Sequence, residues 1–390
     1  MVFFNCKPSI FLYIIAENEG FGEGGGVDGI GVYGEMFYPK QLFGCLKSGF
    51  HISLSSCYAF DTFKHHFMIT ADQIRPYLSH CLAGTSVEGL GTFYKGKVRD
   101  CYIDEEKQQR ILVTTDRQSA FDQVLGMIPL KGQALTQLST WWFEQTKDIV
   151  ANHIISVPDP NVVVAKNVKA VPIEMVIRGY LTGSTGTSSW TAYNKGERLY
   201  CGHQLPEGMK KNQSFEKPLI TPTTKSDIHD ENLDFFSVRE SGLVRPELWD
   251  KIVEATYALF ARGQELARKG GLILVDTKYE FGEDKEGNVV LIDEIHTSDS
   301  SRFWKADTYE ERHARGDEPE NFDKEFLRLW YTQRCDPYKD PLPEMPDDFR
   351  VEVAMRYIQT YEMITGRGFE LPGFEVKERV EGVLGKMIAA

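Results

Sequence analysis

Between Ile273 and Arg302 the chain reads ILVDTKYEFGEDKEGNVVLIDEIHTSDSSR, dense in groups that bind cations and anions. On a strand, successive side chains point to opposite sides. Asp276, Lys278 and Glu280 would then share one face, and Val275, Thr277, Tyr279 and Phe281 the other. The run Glu283 to Gly287 supplies a polar hairpin turn. The return strand, Val289 to Ile292, ends in Asp293 and Glu294, with Arg302 beyond a Ser/Asp-rich loop. Alternation by itself more commonly marks a half-exposed sheet with a solvated charged face. Here the acidic pair begins where an apolar strand stops, and carboxylates at a strand end suit a hard cation such as Mg²⁺, which takes oxygen ligands and keeps phosphates as partners. The register, and so which acids oppose each other, is left open.

Two other segments carry anion-binding chemistry. Residues 171–184, VPIEMVIRGYLTGS, hold Glu174 and Arg178 in an apolar run that breaks into Gly179, Thr182, Gly183 and Ser184. A guanidinium fork suits a carboxylate or phosphate, and small residues after it let backbone amides approach an anion. Tyr94 to Asp100, YKGKVRD, sets Gly96 among cations before the strand-like ILVTTD, as a loop laid over phosphates requires. It contains no GxxxxGK[ST] and no complete kinase glycine pattern. Each is weak alone, since arginines before glycine turns and basic hairpin turns are both common.

In this order the three segments resemble the SAICAR synthetase (phosphoribosylaminoimidazole-succinocarboxamide synthase) family of purine biosynthesis, in the longer form of fungi and many bacteria. VPIEMVIRGYLTGS and ILVDTKYEFG carry the family's two diagnostic patterns. YKGKVRD, DRQSAFD (116–122), TPTTKSDIHDEN (221–232) and IDEIHTSDSSRFW (292–304) also match, so the similarity runs from about Gly91 to about Leu371. Ser298 departs from it, standing where proline is expected.

The resemblance implies an α+β fold of two lobes: an antiparallel-sheet small lobe with a kinase-like phosphate loop, and a larger α+β lobe, with ATP in the cleft. It implies a ligase joining L-aspartate to the carboxylate of carboxyaminoimidazole ribonucleotide (CAIR) through an acyl phosphate, with ATP as co-substrate and Mg²⁺ as cofactor. Gly96, Lys97 and Arg99 match the phosphate loop, Lys225 a second cation near the transferred phosphoryl group, Lys169 and Ala170 the hinge, and Glu174 the acid near adenine. Glu280 and Asp293 match the metal ligands. Arg178, Ser184, Asp299, Ser301 and Arg302 match the ribonucleotide-binding set, with Ser119 and Asp122 beside the substrates. Asp276, Lys278 and Lys225 are the catalytic candidates, although Asp276 and Lys278 equally suit a mutual ion pair that only orders the site. His229 and Asp230 line the same cleft or order its loop.

These residues need elements to hold them. The similarity leaves 1–67 as a leader, expected to be flexible or poorly packed, 68–170 as the small ATP lobe, and 171–390 as the substrate and metal lobe with C-terminal helices. In the leader, Ile10 to Ala16 is too short for a bilayer span, which takes about 20 residues, and lacks the flanks of a secretory signal. The GxGxxG matches at Gly20 and Gly29 open no helical pattern and lack a dinucleotide site's acid. Beyond it a short helix is expected over Ala71–Leu82, with strands near 95–102, 110–116 and 161–178. A helix from Gln133 to Ala151 carries a core stripe of Leu135, Leu138, Trp142 and Ile149. Another runs from Pro246 to the stop at Gly270-Gly271, and two more cover about 322–334 and 348–365, while 185–220 forms an excursion.

Composition narrows the class. The 390 residues carry a net charge of −13, which argues against a nucleic-acid partner because phosphate backbones need a basic face. The local cations therefore suggest a small anion pocket serving ATP, CAIR and aspartate. Seven cysteines without CxxC spacing and nine histidines without HExxH fit a reducing cytoplasm and give no transition-metal site. No membrane partner is expected, and the assembly is a monomer or small homo-oligomer. Two rivals stay open: a kinase-like phosphotransferase, for which HRD and DFG strings are absent, and a non-enzymatic nucleotide-binding module.

Overall fold

The computed structural model describes residues 13–16, 30–33, 69–225 and 231–388. The chain divides after His65 into two units. In the first, β1 (Tyr13–Ala16) and β2 (Ile30–Tyr33) pair antiparallel, Tyr13 opposite Tyr33. The expectation of a loose leader, the glycine match at Gly20, the ends of the match at Gly29, and His229 and Asp230 lie outside the described residues.

The second unit begins with a short helix at Ala71–Ile74, capped by Thr70 and continued as a 3₁₀ turn over Arg75–Ser79. Five strands then build the small sheet: β3 (Thr92–Lys95), β4 (Arg99–Asp104), β5 (Gln109–Thr114), and, after the separate hairpin of β6 (Arg117–Ala120) and β7 (Gln123–Met127), β8 (Ile154–Asp159) and β9 (Val162–Lys166). Its order is β3-β4-β5-β9-β8, antiparallel throughout. The strand expected over 95–102 is thus broken at Gly96, whose amide donates to Arg99 O at 2.8 Å and closes a tight loop. The run 161–178 is also two strands. β9 belongs to the small sheet, while β10 (Lys169–Tyr180) belongs to the central one, so Asn167 and Val168 carry the chain across.

β11 (Leu199–Tyr200) and β12 (His203–Gln204) form a small hairpin inside the 185–220 excursion. The excursion ends in β13 (Ser214–Ile220), which joins the edge of β10. β14 (Thr223–Thr224) also pairs with β10. The central sheet is completed by β15 (Leu272–Glu283), β16 (Val289–Ile292) and β17 (Ser301–Lys305), in the order β13-β10-β15-β16 with β17 on β15.

One large core backs this sheet. Helix Pro246–Lys269 starts on its proline, stops at Gly270 and buries Leu248, Ile252, Ala255 and Leu259 as one stripe. Helix Lys131–Thr146 buries Leu135, Leu138 and Trp142, and ends before Ile149. Helices Lys324–Thr332 and Asp347–Thr365 complete the layer. The small sheet has its own core, where Tyr102, Ile111, Val113, Val162 and Val164 meet Leu82, Leu90 and, from helix Val376–Ile388, Val376, Val380 and Leu384. This last helix, assigned from sequence to the larger lobe, packs instead on the small sheet. Conversely, helix Lys131–Thr146 sits within 68–170 yet packs into the large core. Apolar faces, rather than chain order, decide where each helix goes. Among the described residues no helix is long and apolar enough to cross a membrane.

Candidate active site

The hairpin register settles which charged groups meet. β15 lies between β10 and β17, so Glu174 opposes Glu280, Val176 opposes Lys278, and Arg178 opposes Asp276, which in turn faces Arg302. Asp276, Lys278 and Glu280 share one face as expected, and Tyr279 and Phe281 are buried on the other. The polar face is not a solvated one: Glu174, Arg178, Asp276, Glu280 and Arg302 are only 4–8 % exposed.

Buried charges must be compensated. Lys278 Nζ lies 2.5 Å from Glu174 Oε1 and 2.8 Å from Glu280 Oε1, and Lys225 binds the other oxygen of Glu280. Burial alone would raise the Glu280 carboxyl, but Lys278 and Lys225 outweigh it and hold it down to about 2. Burial would lower the Lys278 ammonium, and Glu280 and Glu174 reverse that and raise it. At the other end of the face, Arg302 bridges Asp276 at 2.8 Å and Glu325 at 3.1 Å, Arg178 lies 3.6 Å from Asp276, and Arg328 supports Glu325 at 3.3 Å. Burial pushes the Glu325 carboxyl up, but Arg302 and Arg328 prevail and bring it to about 2. Ser184 lies beside that carboxylate. Gly183 makes room for the arrangement. It sits at φ +106°, and a Cβ there would fall 2.5 Å from Ser188 Cβ and 3.0 Å from Arg302 Nη2. Asp276 and Lys278 therefore form no mutual pair; each has its own partners.

Asp293 follows β16 directly, with φ 68°, and binds Arg99, which also reaches Glu294 at 3.1 Å. Arg99 enters β4 from the Gly96–Val98 loop, so the loop of the small sheet and the acids of the central sheet converge. Lys97 Nζ lies 3.4 Å from Asp122 Oδ1, which joins the β6–β7 turn to the same rim, and Ser119 lies on β6 nearby. Lys169 and Ala170 are exposed and register with Glu283 and Gly282, beside a register break before Glu174.

Two expected ligand residues point elsewhere. Ser301 opposes Thr277 and donates to its hydroxyl at 2.7 Å, on the side of the sheet away from Asp276. The alternation that delivers Arg302 to the site necessarily removes its neighbour. The Asp299 side chain is buried, bonded to Tyr357 Oη at 2.7 Å and paired with Lys131 at 2.9 Å and Lys324 at 3.5 Å, so its carboxylate ties three helices together. Ser298, the departure from the family pattern, donates to Phe322 O at 3.2 Å, and its carbonyl accepts from the Lys324 amide at 2.9 Å; these bonds hold the loop.

Sequence reasoning missed Lys131, Lys324, Glu325 and Arg328. Lys324, Glu325 and Arg328 share the first turns of one helix, and the i, i+3 spacing of Glu325 and Arg328 was the available signal. Burial pushes the Lys324 ammonium down to about 8.

Among the described residues no group of three or more His, Cys, Asp or Glu could hold a metal ion. Glu280 and Asp293 nevertheless fit a Mg²⁺ site completed by phosphate. Both are hard oxygen donors at adjoining register positions, and both act on the same Arg99 and Lys278.

Comparison with known proteins shows the family to which the chain belongs. A profile of the SAICAR synthetase family matches residues 92–345. A phosphoribosylaminoimidazole-succinocarboxamide synthase of Legionella pneumophila (strain Lens) is 56% identical over 290 residues, 74% of this chain and 92% of that protein. A Saccharomyces cerevisiae SAICAR-synthase solved with SAICAR superposes with TM-score 0.63 at 32% identity, covering 74% of this chain and 100% of that one. A type-2 SAICAR synthetase solved with ADP gives TM-score 0.54 at 26% identity, over 72% of this chain and 100% of that one. Its motifs, its sheet and these relatives together make this chain a member of the SAICAR synthetase family.

Proposed function

We propose that the cleft between the Gly96–Arg99 loop and the charged face of β10, β15 and β17 joins L-aspartate to the carboxylate of CAIR at the expense of ATP, giving SAICAR, ADP and phosphate. The observation that carries this reading is the register that sets Glu174, Lys278, Glu280, Asp276, Arg178 and Arg302 on one buried face, facing Arg99 and Asp293.

A carboxylate is a poor electrophile and must be activated first. A CAIR carboxylate oxygen attacks the γ-phosphorus of ATP, the bond to the β,γ-bridging oxygen breaks, and ADP leaves. The aspartate amine then attacks the acyl carbon, phosphate departs, and the amine loses a proton. No enzyme nucleophile is required, so positioning and charge neutralisation supply the acceleration. Gly96, Lys97 and Arg99 hold the nucleotide phosphates, with Glu174 and the backbone of Lys169 and Ala170 toward adenine. Lys225 and Lys278 meet the transferred phosphoryl group. Arg178 and Arg302, with Ser184, take the ribonucleotide's anionic groups, and Ser119 and Asp122 flank the substrates. Glu280 and Asp293 would hold Mg²⁺, which when bound would neutralise phosphate charge.

Coupled ADP release, with each substrate omitted in turn, tests the assignment. Release only when CAIR and aspartate are both present supports it. Release with an unrelated hydroxyl acceptor, or with CAIR and ATP alone at the full rate, overturns it.

A further inference from the structure

The carbonyl oxygens of Gly96, Lys97 and Val98, which form the inner wall of the phosphate loop, are all taken by one short segment, Thr115 to Arg117. Arg117 Nη2 donates to Gly96 O at 3.0 Å and Nε to Lys97 O at 3.1 Å. Thr115 donates to Val98 O through its amide at 3.0 Å and its hydroxyl at 2.7 Å. In a planar trans peptide the carbonyl and the following amide point in opposite directions. Fixing these three oxygens therefore turns the amides of Lys97, Val98 and Arg99 away from Arg117. Among the described residues the Lys97 and Val98 amides have no hydrogen-bond acceptor in the protein.

Arg117 is itself clamped. Its Nη1 donates to Ala83 O at 2.7 Å, and Nη2 meets Asp100 Oδ1 at 2.8 Å in a nearly buried pair. Asp100 Oδ2 accepts from the Thr85 amide at 2.6 Å and from its hydroxyl at 3.2 Å. Gly84 closes the cradle, since a Cβ there would lie 3.1 Å from Asp100 Oδ2 and 3.2 Å from Arg117 Nη1. Every Arg117 contact is thus made inside the protein, and two of them set the shape of the loop.

We infer that Arg117, seated on Asp100, is a positioning residue that holds the phosphate loop with its amides presented outward, so that nucleotide affinity depends on a side chain facing away from the nucleotide. This rests on reading Gly96 to Arg99 as the ATP phosphate loop. A buried pair serving stability alone would change the folded fraction and leave the affinity of the folded protein intact.

The test is calorimetric binding of ADP and, separately, of SAICAR to the full chain, for the wild type, Arg117→Gln, Arg117→Lys and Thr115→Val, with thermal melts to fix the folded fraction. Loss of two carbonyl contacts in Arg117→Gln should weaken ADP about tenfold or more, while SAICAR changes less than about twofold. The same variant should raise KM for ATP more than it lowers kcat. Arg117→Lys keeps the charge beside Asp100 but cannot span both carbonyls, so it should recover most of the melting temperature and little of the ADP affinity. Thr115→Val, losing one hydroxyl donor, should weaken ADP about threefold. If Arg117→Gln does not fold, Arg117→Lys and Thr115→Val decide alone. Unchanged ADP affinity in the folded variants, or equal losses for ADP and SAICAR, overturns the inference. A wild type that binds no ADP sinks the loop assignment beneath it.

Discussion

The phosphate loop and the charged face of the central sheet prepare for anions in opposite ways. The loop offers backbone amides whose direction is set from behind by Arg117 and Thr115, beside the paired side chains of Lys97 and Arg99. The sheet face keeps its charges as pairs: Glu280 with Lys225 and Lys278, Asp276 with Arg302 and Arg178, Glu325 with Arg302 and Arg328. A ligand anion there must compete with Asp276 or Glu325 for a guanidinium, and a cation must compete with two lysines for Glu280. Preformed shape favours ready binding, while paired charge favours selectivity, since only a ligand that satisfies both members of a pair can separate them at low cost.

Breaking a pair on the sheet face should cost most. Arg302→Met removes the cation that buried Asp276 and Glu325 share, and should lower unfolding free energy by about 3–5 kcal/mol. Urea titration checks this, and a loss near that of a surface substitution would remove the contrast drawn here. Glu280→Gln should lower kcat by about 10²–10³-fold with the chain still folded, by ADP release and circular dichroism. Retained turnover would show that this carboxylate takes no part in the chemistry.

Acid conditions sharpen the comparison between the sheet's two sides. His296, on the core side, bonds Tyr279 Oη at 2.5 Å, and burial pushes it down from 6.5 to about 3; burial likewise brings His153 to about 4. The unfolded chain binds these protons below about 6.5 and the native state does not. Stability is therefore fully present above 6.5 and falls as pH drops towards 4, by about 1.4 kcal/mol per pH unit for each group. Burial raises Asp116 to about 6 and Asp323 to about 7, and these act in the opposite sense, so the single variant His296→Gln isolates the effect. Relative to the wild type, the stability of this variant in urea should rise as pH falls from 6.5 to 4, by about 1.4 kcal/mol per pH unit. An unchanged slope would mean that His296 is protonated in the native state. The smallest effect belongs to Ser301→Ala, which should keep kcat/KM within about threefold because the hydroxyl faces Thr277. A larger loss would return Ser301 to the substrates.

Local pattern made part of this legible. Two-residue alternation placed Asp276, Lys278 and Glu280 on one face, and Pro246 with Gly270 bounded a helix whose apolar stripe is buried. What stayed hidden was long-range. No local rule states that Glu174 opposes Glu280 or that Asp299 turns inward to meet Lys131 and Lys324. Each depends on partners tens to hundreds of residues away. Ser301 was misplaced for a simpler reason: the motif carries neighbours together, while the pleat separates them onto two sides.

Helix Val376–Ile388 lends Val376, Val380 and Leu384 to a core whose other members lie between Leu82 and Val164, and Ser86 N bonds Glu381 across 295 positions. A nascent chain therefore cannot complete the core behind the sheet that presents the Gly96 loop until the ribosome has passed residue 384. Until then the apolar side of that sheet awaits its cover, while the large core, assembled mostly from earlier segments, can already close. Competence to grip a nucleotide should thus emerge last during synthesis, at a distance in sequence from the residues that do the gripping.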